Sequence, residues 1–129
     1  MPKCVVTVDG NEIATRVDIA LTSADRSIGL LGRDSIAPEE GTMWEIPGIR
    51  KKLTGYWNAI HMVGMKFPIA VIWVDKNGRI VRSVIAEPPT WRNLLGWHSS
   101  SSPAAYVIEL HPSHLTKLHL GSSVSWKVN

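Results

Sequence analysis

A run of six apolar residues at positions 69–74 constrains the fold of this chain more than any other feature. The run ends at residues 75–78, where Asn77-Gly78 gives the strongest short-range signal for a β-hairpin. Residues 79–86 then alternate apolar and polar side chains, as the partner strand would. Because side chains of a strand point alternately to the two sides of its sheet, an uninterrupted apolar run predicts a strand buried on both faces.

The remaining segments predict more strands and two short helices. Asp9-Gly10 predicts a hairpin between residues 3–8 and 11–20, and further strands are expected at 41–46, 105–110 and 122–128. The first helix is predicted over residues 23–31, with Thr22 or Ser23 as its N-cap and Ala24, Ile28 and Leu31 on its buried face. Pro112 opens the second helix and Gly121 closes it. The expected fold is a strand-rich α+β domain over residues 1–129, a small antiparallel β-barrel or sandwich with two short helices.

Composition narrows the class of protein. With 44% hydrophobic and 19% charged residues, the chain has the composition of a globular domain and not of a disordered one. A formal charge of +3 does not favour nucleic acid as a partner. Cys4 is the single cysteine and no apolar signal-peptide segment follows Met1, so we expect a cytoplasmic protein with no membrane span.

Six segments resemble, in order, the family called domain of unknown function 192, the uncharacterised ACR proteins. Residues 26–33, Arg-Ser-Ile-Gly-Leu-Leu-Gly-Arg, are similar to its R-x-x-G-L-[LM]-G-R segment. Residues 61–69 resemble its H-x-x-x-M-x-x-P-[IL] segment, and residues 106–110 its Y-V-[IL]-E-L segment. The other matching segments are residues 41–44, the hairpin at 74–81 and the prolines at 88–89. The resemblance covers about residues 17–126 and implies a β-barrel-like domain with no established biochemical role.

Two positions depart from the family pattern. Ala70 and Ser122 stand where the family usually has aspartate. If those aspartates take part in an activity, this chain lacks it. If they are structural, a neighbouring contact is remodelled.

Glu109 is the most informative polar residue, because it lies inside an apolar strand segment. A buried carboxylate without a partner is costly, so we expect an ion pair. The family resemblance points to Arg33 or Arg26 as its partner. A pocket carboxylate with a raised pKa, or simple exposure, are the alternatives.

Other candidate residues lie in two segments. His61, Met62 and Met65 have the chemistry of a copper site, but the interpretation as core residues is favoured over a metal site. Trp91, Trp97 and His98 lie in the long loop at 90–103, where they form either a binding rim or a lid. We predict neither a metal nor a cofactor.

The sequence therefore predicts a small ligand- or peptide-binding accessory module. Its mouth would be formed by residues 61–65 and 90–102, and its floor would contain Arg33 and Glu109. The absence of a Gly-x-Ser-x-Gly nucleophile motif favours binding over catalysis. Two alternatives remain. One is an enzyme that uses His61 and Glu109, and the other is a copper-binding protein. The ligand would be an unidentified small molecule or peptide.

Overall fold

A computed structural model describes residues 1–129, except for the side chains of Ser27 and Ile28. Seven strands and one α-helix follow one another along the chain: β1 Lys3–Val8, β2 Asn11–Ala20, α1 Ser23–Ile28, β3 Glu40–Glu45, β4 Ile69–Val74, β5 Ile80–Ala86, β6 Tyr106–Leu110 and β7 Val124–Val128. Short 3-10 helices lie at Gly48–Lys52, Gly55–Asn58 and Pro112–Lys117. The predicted strand-rich α+β fold is confirmed. In the described part of the chain, no helix has the length and apolarity needed to cross a membrane.

All seven strands belong to one curled sheet in the order β5-β4-β6-β3-β2-β1-β7. The two edge strands approach each other at one end, where Ile80 N donates to Ser122 O at 3.0 Å and Val124 N donates to Gly78 O at 2.7 Å. The sheet is therefore a partly closed barrel. It is antiparallel except for β2 and β3, which run parallel. A parallel pair requires a crossover, which α1 and the loop after it supply.

The sheet carries a hydrophobic core on each face. One core draws residues from all seven strands and fills the inside of the curl. The other packs β4, β6 and the end of β5 against the segments at 30–36, 46–67 and 104. As predicted, β4 is buried at every position, because it contributes alternate side chains to both cores. The apolar positions Ile69, Val71, Ile80, Val107 and Val124, all within segments predicted as strands, are buried.

The helices differ from the prediction in their ends and type. α1 begins as expected, with Thr22 Oγ1 accepting from Asp25 N at 3.0 Å. It ends at Ile28 and not at Leu31, because Gly29 takes a positive φ of 38°. The turn directs Leu30 inward and leaves Ala24 and Leu31 exposed, while the side chain of Ile28 lies outside the described part. The second predicted helix is the 3-10 helix at Pro112–Lys117.

Gly41 supplies a test of the sheet's packing. A Cβ atom at this position would lie 2.5 Å from Glu109 O and 2.8 Å from Leu110 Cδ2. Since backbone atoms of a central strand cannot move aside cheaply, we expect Gly41→Ala to lower the free energy of unfolding by roughly 1–3 kcal/mol in urea titrations. Gly10→Ala is the control, because Gly10 has open space and only a positive φ. The free energy of unfolding of Gly10→Ala should fall by about 1 kcal/mol. Wild-type stability of Gly41→Ala would contradict the close approach of β3 and β6.

Candidate functional site

Glu109 lies near the middle of the sheet, on the outer face of β6. Its neighbours Ile108 and Leu110 belong to the core inside the curl, whereas Val107 belongs to the outer core. By strand alternation, Glu109 shares the outer face with Val107. It is paired with Thr42 of β3 on one side and with Val71 of β4 on the other. The surrounding sheet therefore fixes the position of the carboxyl group.

A cavity of about 490 Å³ opens over Glu109. We call it the Glu109 cavity. Its apolar walls come from the turn after α1, from β3 and from the segment before β4, and its polar lining includes Arg26, Arg50 and His61. The apolar lining residues include Leu30, Leu31, Trp44, Ile60 and Met65. A volume in this range, with mostly apolar walls and a few polar groups, is typical of small-molecule sites.

The carboxyl group of Glu109 has no ion-pair partner among the described residues, although Arg26 and Arg50 line the same cavity. In the part of the chain that the structure describes, its side chain makes neither a hydrogen bond nor an ion pair. Burial raises the pKa of Glu109 to about 7, and no neighbouring charge contributes to that shift. The carboxyl is therefore a mixture of the neutral acid and the carboxylate near neutral pH. Such a group can donate or accept a hydrogen bond.

A second unsatisfied polar group stands beside Glu109. Thr42 is 1% exposed, and its hydroxyl has no hydrogen-bond partner among the described residues. Directly opposed residues of antiparallel strands have Cβ atoms about 5 Å apart on the same face. Thr42 and Glu109 thus form a polar pair within an apolar surface. Natural cores rarely leave two such groups without partners.

The predicted ion pair between Glu109 and Arg33 is wrong. Arg33 Nη2 donates instead to Glu40 Oε1 at 2.8 Å. Glu40 also accepts from Ala37 N at 2.9 Å, and these two contacts hold the pKa of its carboxyl below the ordinary value. Arg33 therefore fastens the loop before β3 and does not line the Glu109 cavity. Arg26 lines that cavity but forms no ion pair with Glu109.

The other predicted site residues fall into two groups. His61 and Met65 line the Glu109 cavity, where His61 Nδ1 accepts from Val63 N at 3.3 Å. Trp97 and His98 line a separate depression of about 500 Å³. Trp91 lines neither, and its exposed ring stacks against the Arg92 guanidinium at 4.9 Å. The structure therefore divides the single predicted mouth into two places.

His61 and Met65 share the lining of the Glu109 cavity, but Met62 and Cys4 lie apart from it in the two cores. Among the described residues, no three His, Cys, Asp or Glu side chains are arranged to hold a metal ion. Met62 is fully buried in the outer core, whereas His61 is exposed. Cys4 is also fully buried, and burial together with the charge of Asp18 raises the pKa of its thiol to about 11. The thiol therefore stays protonated at neutral pH, which is the wrong form for a metal ligand.

Sequence reasoning did not assign Arg50 and Trp44 to the site. Arg50 belongs to the basic segment 50–52, which reads as a solvated charge cluster. Trp44 lies two residues after Thr42 on the same face of β3, so its position next to Glu109 follows only from the register of β3 and β6. No signal along the chain specifies that register. The alternation within β6 does place Glu109 on the same face as Val107.

Comparison with known proteins agrees with this fold. The chain resembles in structure a protein of unknown function from Novosphingobium aromaticivorans, with 22% identity, 95% of this chain and 84% of that chain covered, and a TM-score of 0.74. It also resembles a proposed transcription regulator from Sinorhizobium meliloti, with 20% identity, coverage of 98% and 94%, and a TM-score of 0.71. At these identities the likeness concerns the fold alone. No curated protein is significantly similar to the chain in sequence.

The family model for the uncharacterised ACR proteins matches residues 4–126, nearly the whole chain. The match begins in β1 and ends in β7, so it includes every strand of the curled sheet and the residues that form the Glu109 cavity. The biochemical role of that family is not established. The chain belongs to the family called domain of unknown function 192.

Proposed function

We propose that the chain is a binding module whose Glu109 cavity holds a small molecule with an apolar body and a protonated amine. The observation that carries this proposal is the unpartnered Glu109 carboxyl in the lining of the cavity. An unpaired buried carboxylate destabilises a fold, so a site that keeps one gains something other than stability. A ligand amine would supply the missing counter-charge.

The rest of the lining suggests the other features of the ligand. Leu30, Trp44, Ile60 and Met65 offer apolar contact to its body. The guanidinium groups of Arg26 and Arg50 suit a carboxylate, which they can bind in a bidentate way. A hydrophobic amino acid, or the end of a short peptide, is the simplest molecule with all three features.

We also propose that the protein works in a reducing compartment, the cytoplasm. This location is supported by the single cysteine, Cys4, whose thiol is free and buried in the core. Free buried thiols are typical of proteins from reducing compartments. The ligand would then be a molecule of the cell interior.

Acid–base catalysis is a second candidate function, favoured by one observation. A general acid or base works best with a pKa near the operating pH, and the pKa of Glu109 is about 7. His61 lines the same cavity and offers a second titratable group. If the cavity is catalytic, the wild-type protein should convert the bound compound, and NMR can follow that conversion. His61→Ala should then still bind the compound but no longer convert it. If the wild-type protein binds the compound without converting it, the catalytic function is contradicted and only the binding function remains.

The binding proposal is tested with three matched compounds: phenylalanine, its amide, which lacks the carboxylate, and 3-phenylpropionate, which lacks the amine. In titration calorimetry, Glu109→Gln should weaken binding of phenylalanine and its amide by roughly tenfold or more, the effect of losing a charged hydrogen bond. It should leave phenylpropionate unchanged. Arg26→Ala should weaken the binding of phenylalanine but not the binding of its amide.

Glu12→Gln provides the control for this test. Glu12 is an exposed carboxylate on β2, outside the Glu109 cavity, so its substitution should change none of the three affinities. A panel of apolar amines and amino acids that fails to bind, or binds Glu109→Gln as tightly as wild type, would contradict the proposal.

The raised pKa of Glu109 also predicts how stability depends on pH. The folded state holds the Glu109 proton more tightly than the unfolded state, so binding of this proton stabilises the fold. Its contribution to the free energy of unfolding is complete below a pH of about 4.5 and is lost as the pH rises through about 7. Across that range the loss is at most about 3 kcal/mol, since the carboxyl keeps access to solvent through the cavity.

Urea unfolding of wild type and Glu109→Gln at several pH values measures this loss. Glutamine has no charge to desolvate, so Glu109→Gln should gain stability relative to wild type as the pH rises and should be the more stable protein above a pH of about 7. A difference between the two proteins that stays constant with pH would show that Glu109 does not titrate in this range.

A further inference from the structure

A cluster of exposed aromatic rings lies beside the Glu109 cavity. Tyr56, Trp57 and Trp97 are 72%, 47% and 40% exposed. The rings of Tyr56 and Trp57 meet edge to face with centroids 5.3 Å apart, and those of Tyr56 and Trp97 stack at 5.9 Å with an interplanar angle of 28°. Contiguous exposed rings of this size mark interaction sites, because apolar surface is costly to keep in water.

The cluster joins two depressions. The smaller, of about 330 Å³, is lined by Arg50, Tyr56, Trp57, Ala59 and Trp97. The larger, of about 500 Å³, is lined by Thr54, Gly55, Arg82, Trp97, His98 and the serines at 99–101. Trp97 lines both depressions, and we call the two together the aromatic groove.

The charge of the aromatic groove is positive. Arg50 and Arg82 contribute guanidinium groups, and within the described chain no Asp or Glu lines either depression and neither arginine forms an ion pair. Arg50 Nε donates to Trp57 O at 3.0 Å, which holds this guanidinium beside the rings. Burial and the charge of Arg82 hold the pKa of His98 below its ordinary value. His98 is therefore neutral at pH 7 and can accept as well as donate a hydrogen bond.

We propose that the aromatic groove binds nucleoside phosphates, either as free nucleotides or as part of a single strand. Trp97 and Tyr56 offer faces on which bases stack, which any base can use because each has a π-face. Arg50 lines one depression together with Trp97 and Arg82 lines the other, and guanidinium groups are suited to bind phosphates. The hydroxyls of Thr54, Ser99 and Ser101, which line the same depression as Arg82, add hydrogen-bonding groups for phosphate or sugar. A neutral sugar would use the rings but would gain nothing from the two cations.

The test measures binding of adenosine monophosphate by tryptophan fluorescence and of a labelled oligothymidylate by anisotropy. The strand has about eight nucleotides, within the range that a small β-barrel domain covers. Trp97→Ala and Arg82→Ala should each weaken binding about tenfold, the effect of losing one stacked base or one phosphate contact. Arg82→Ala should also reduce the slope of log affinity against log salt by about 0.7 for the strand.

Trp91→Ala is the matched control. Trp91 lies on the same loop as Trp97 and is 80% exposed, but it lines neither depression. Its substitution should leave both affinities and the salt slope unchanged. Thermal unfolding of each variant checks that the fold is intact, which is expected because these side chains are at the surface.

The outcomes separate the sources of the ligand. If the monophosphate binds as tightly as the strand, the groove takes free nucleotides; if the strand binds at least tenfold more tightly, it takes single strands. Absence of binding to both, or losses that Trp91→Ala reproduces, would overturn the proposal. It would also be overturned if maltotriose bound with the same dependence on Trp97 and none on Arg82, because the groove would then be a neutral sugar site.

Discussion

The arrangement of this domain depends on the apolarity of both faces of its central strands. β4 is buried at every position, so the sheet cannot leave either side in water. Curling the sheet covers one face with the core that all seven strands share. The other face has no partner sheet, and the connections before β3, β4 and β6 must cover it. Those coverings are loops and 3-10 helices, and packing them over a curved sheet leaves the Glu109 cavity between them.

Glu109 is the exception within this apolar surface. Its position on β6 is fixed by pairing on both sides, with Thr42 and Val71. The strand cannot rotate the side chain toward bulk water without moving Ile108 and Leu110 out of the inner core. The carboxyl thus stays in a poorly solvated place and its pKa rises. A group held in this way is ready to exchange a proton or to receive a counter-charge, which is the basis of the proposed function.

Local sequence patterns were sufficient for the strands and insufficient for the contacts between distant segments. The hairpin at Asn77-Gly78, the doubly buried β4 and the position of Glu109 within an apolar strand all follow from alternation and turn chemistry. The partner of Arg33 could not be predicted in the same way, because Arg33 and Glu40 are joined by an irregular loop, where no periodicity places one side chain beside the other. The end of α1 was misplaced since Gly29, inside a helical pattern, takes a positive φ. Arg26, Arg50 and Trp44 meet only through the crossover and the strand register, which depend on the whole fold.

Whole-chain charge also concealed a local feature. A formal charge of +3 spread over 129 residues gives little reason to expect an anionic ligand. The fold nevertheless brings Arg50 and Arg82 to a surface that no carboxylate of the described chain lines. Electrostatic attraction depends on this local arrangement and not on the sum of charges. The two proposed sites therefore differ in character: one is a sheltered acid, the other an exposed cationic groove with aromatic rings.

The most direct test of this account is the pKa of Glu109 itself. Carbon NMR of the side-chain carboxyl, assigned by its disappearance in Glu109→Gln, gives the titration midpoint without any ligand. The account predicts a midpoint near 7, raised by burial from the ordinary value of 4.5. A midpoint at or below about 4.5 would mean that the carboxyl is solvated or paired with a cation. It would contradict the claim that an unpartnered, poorly solvated acid lines the cavity.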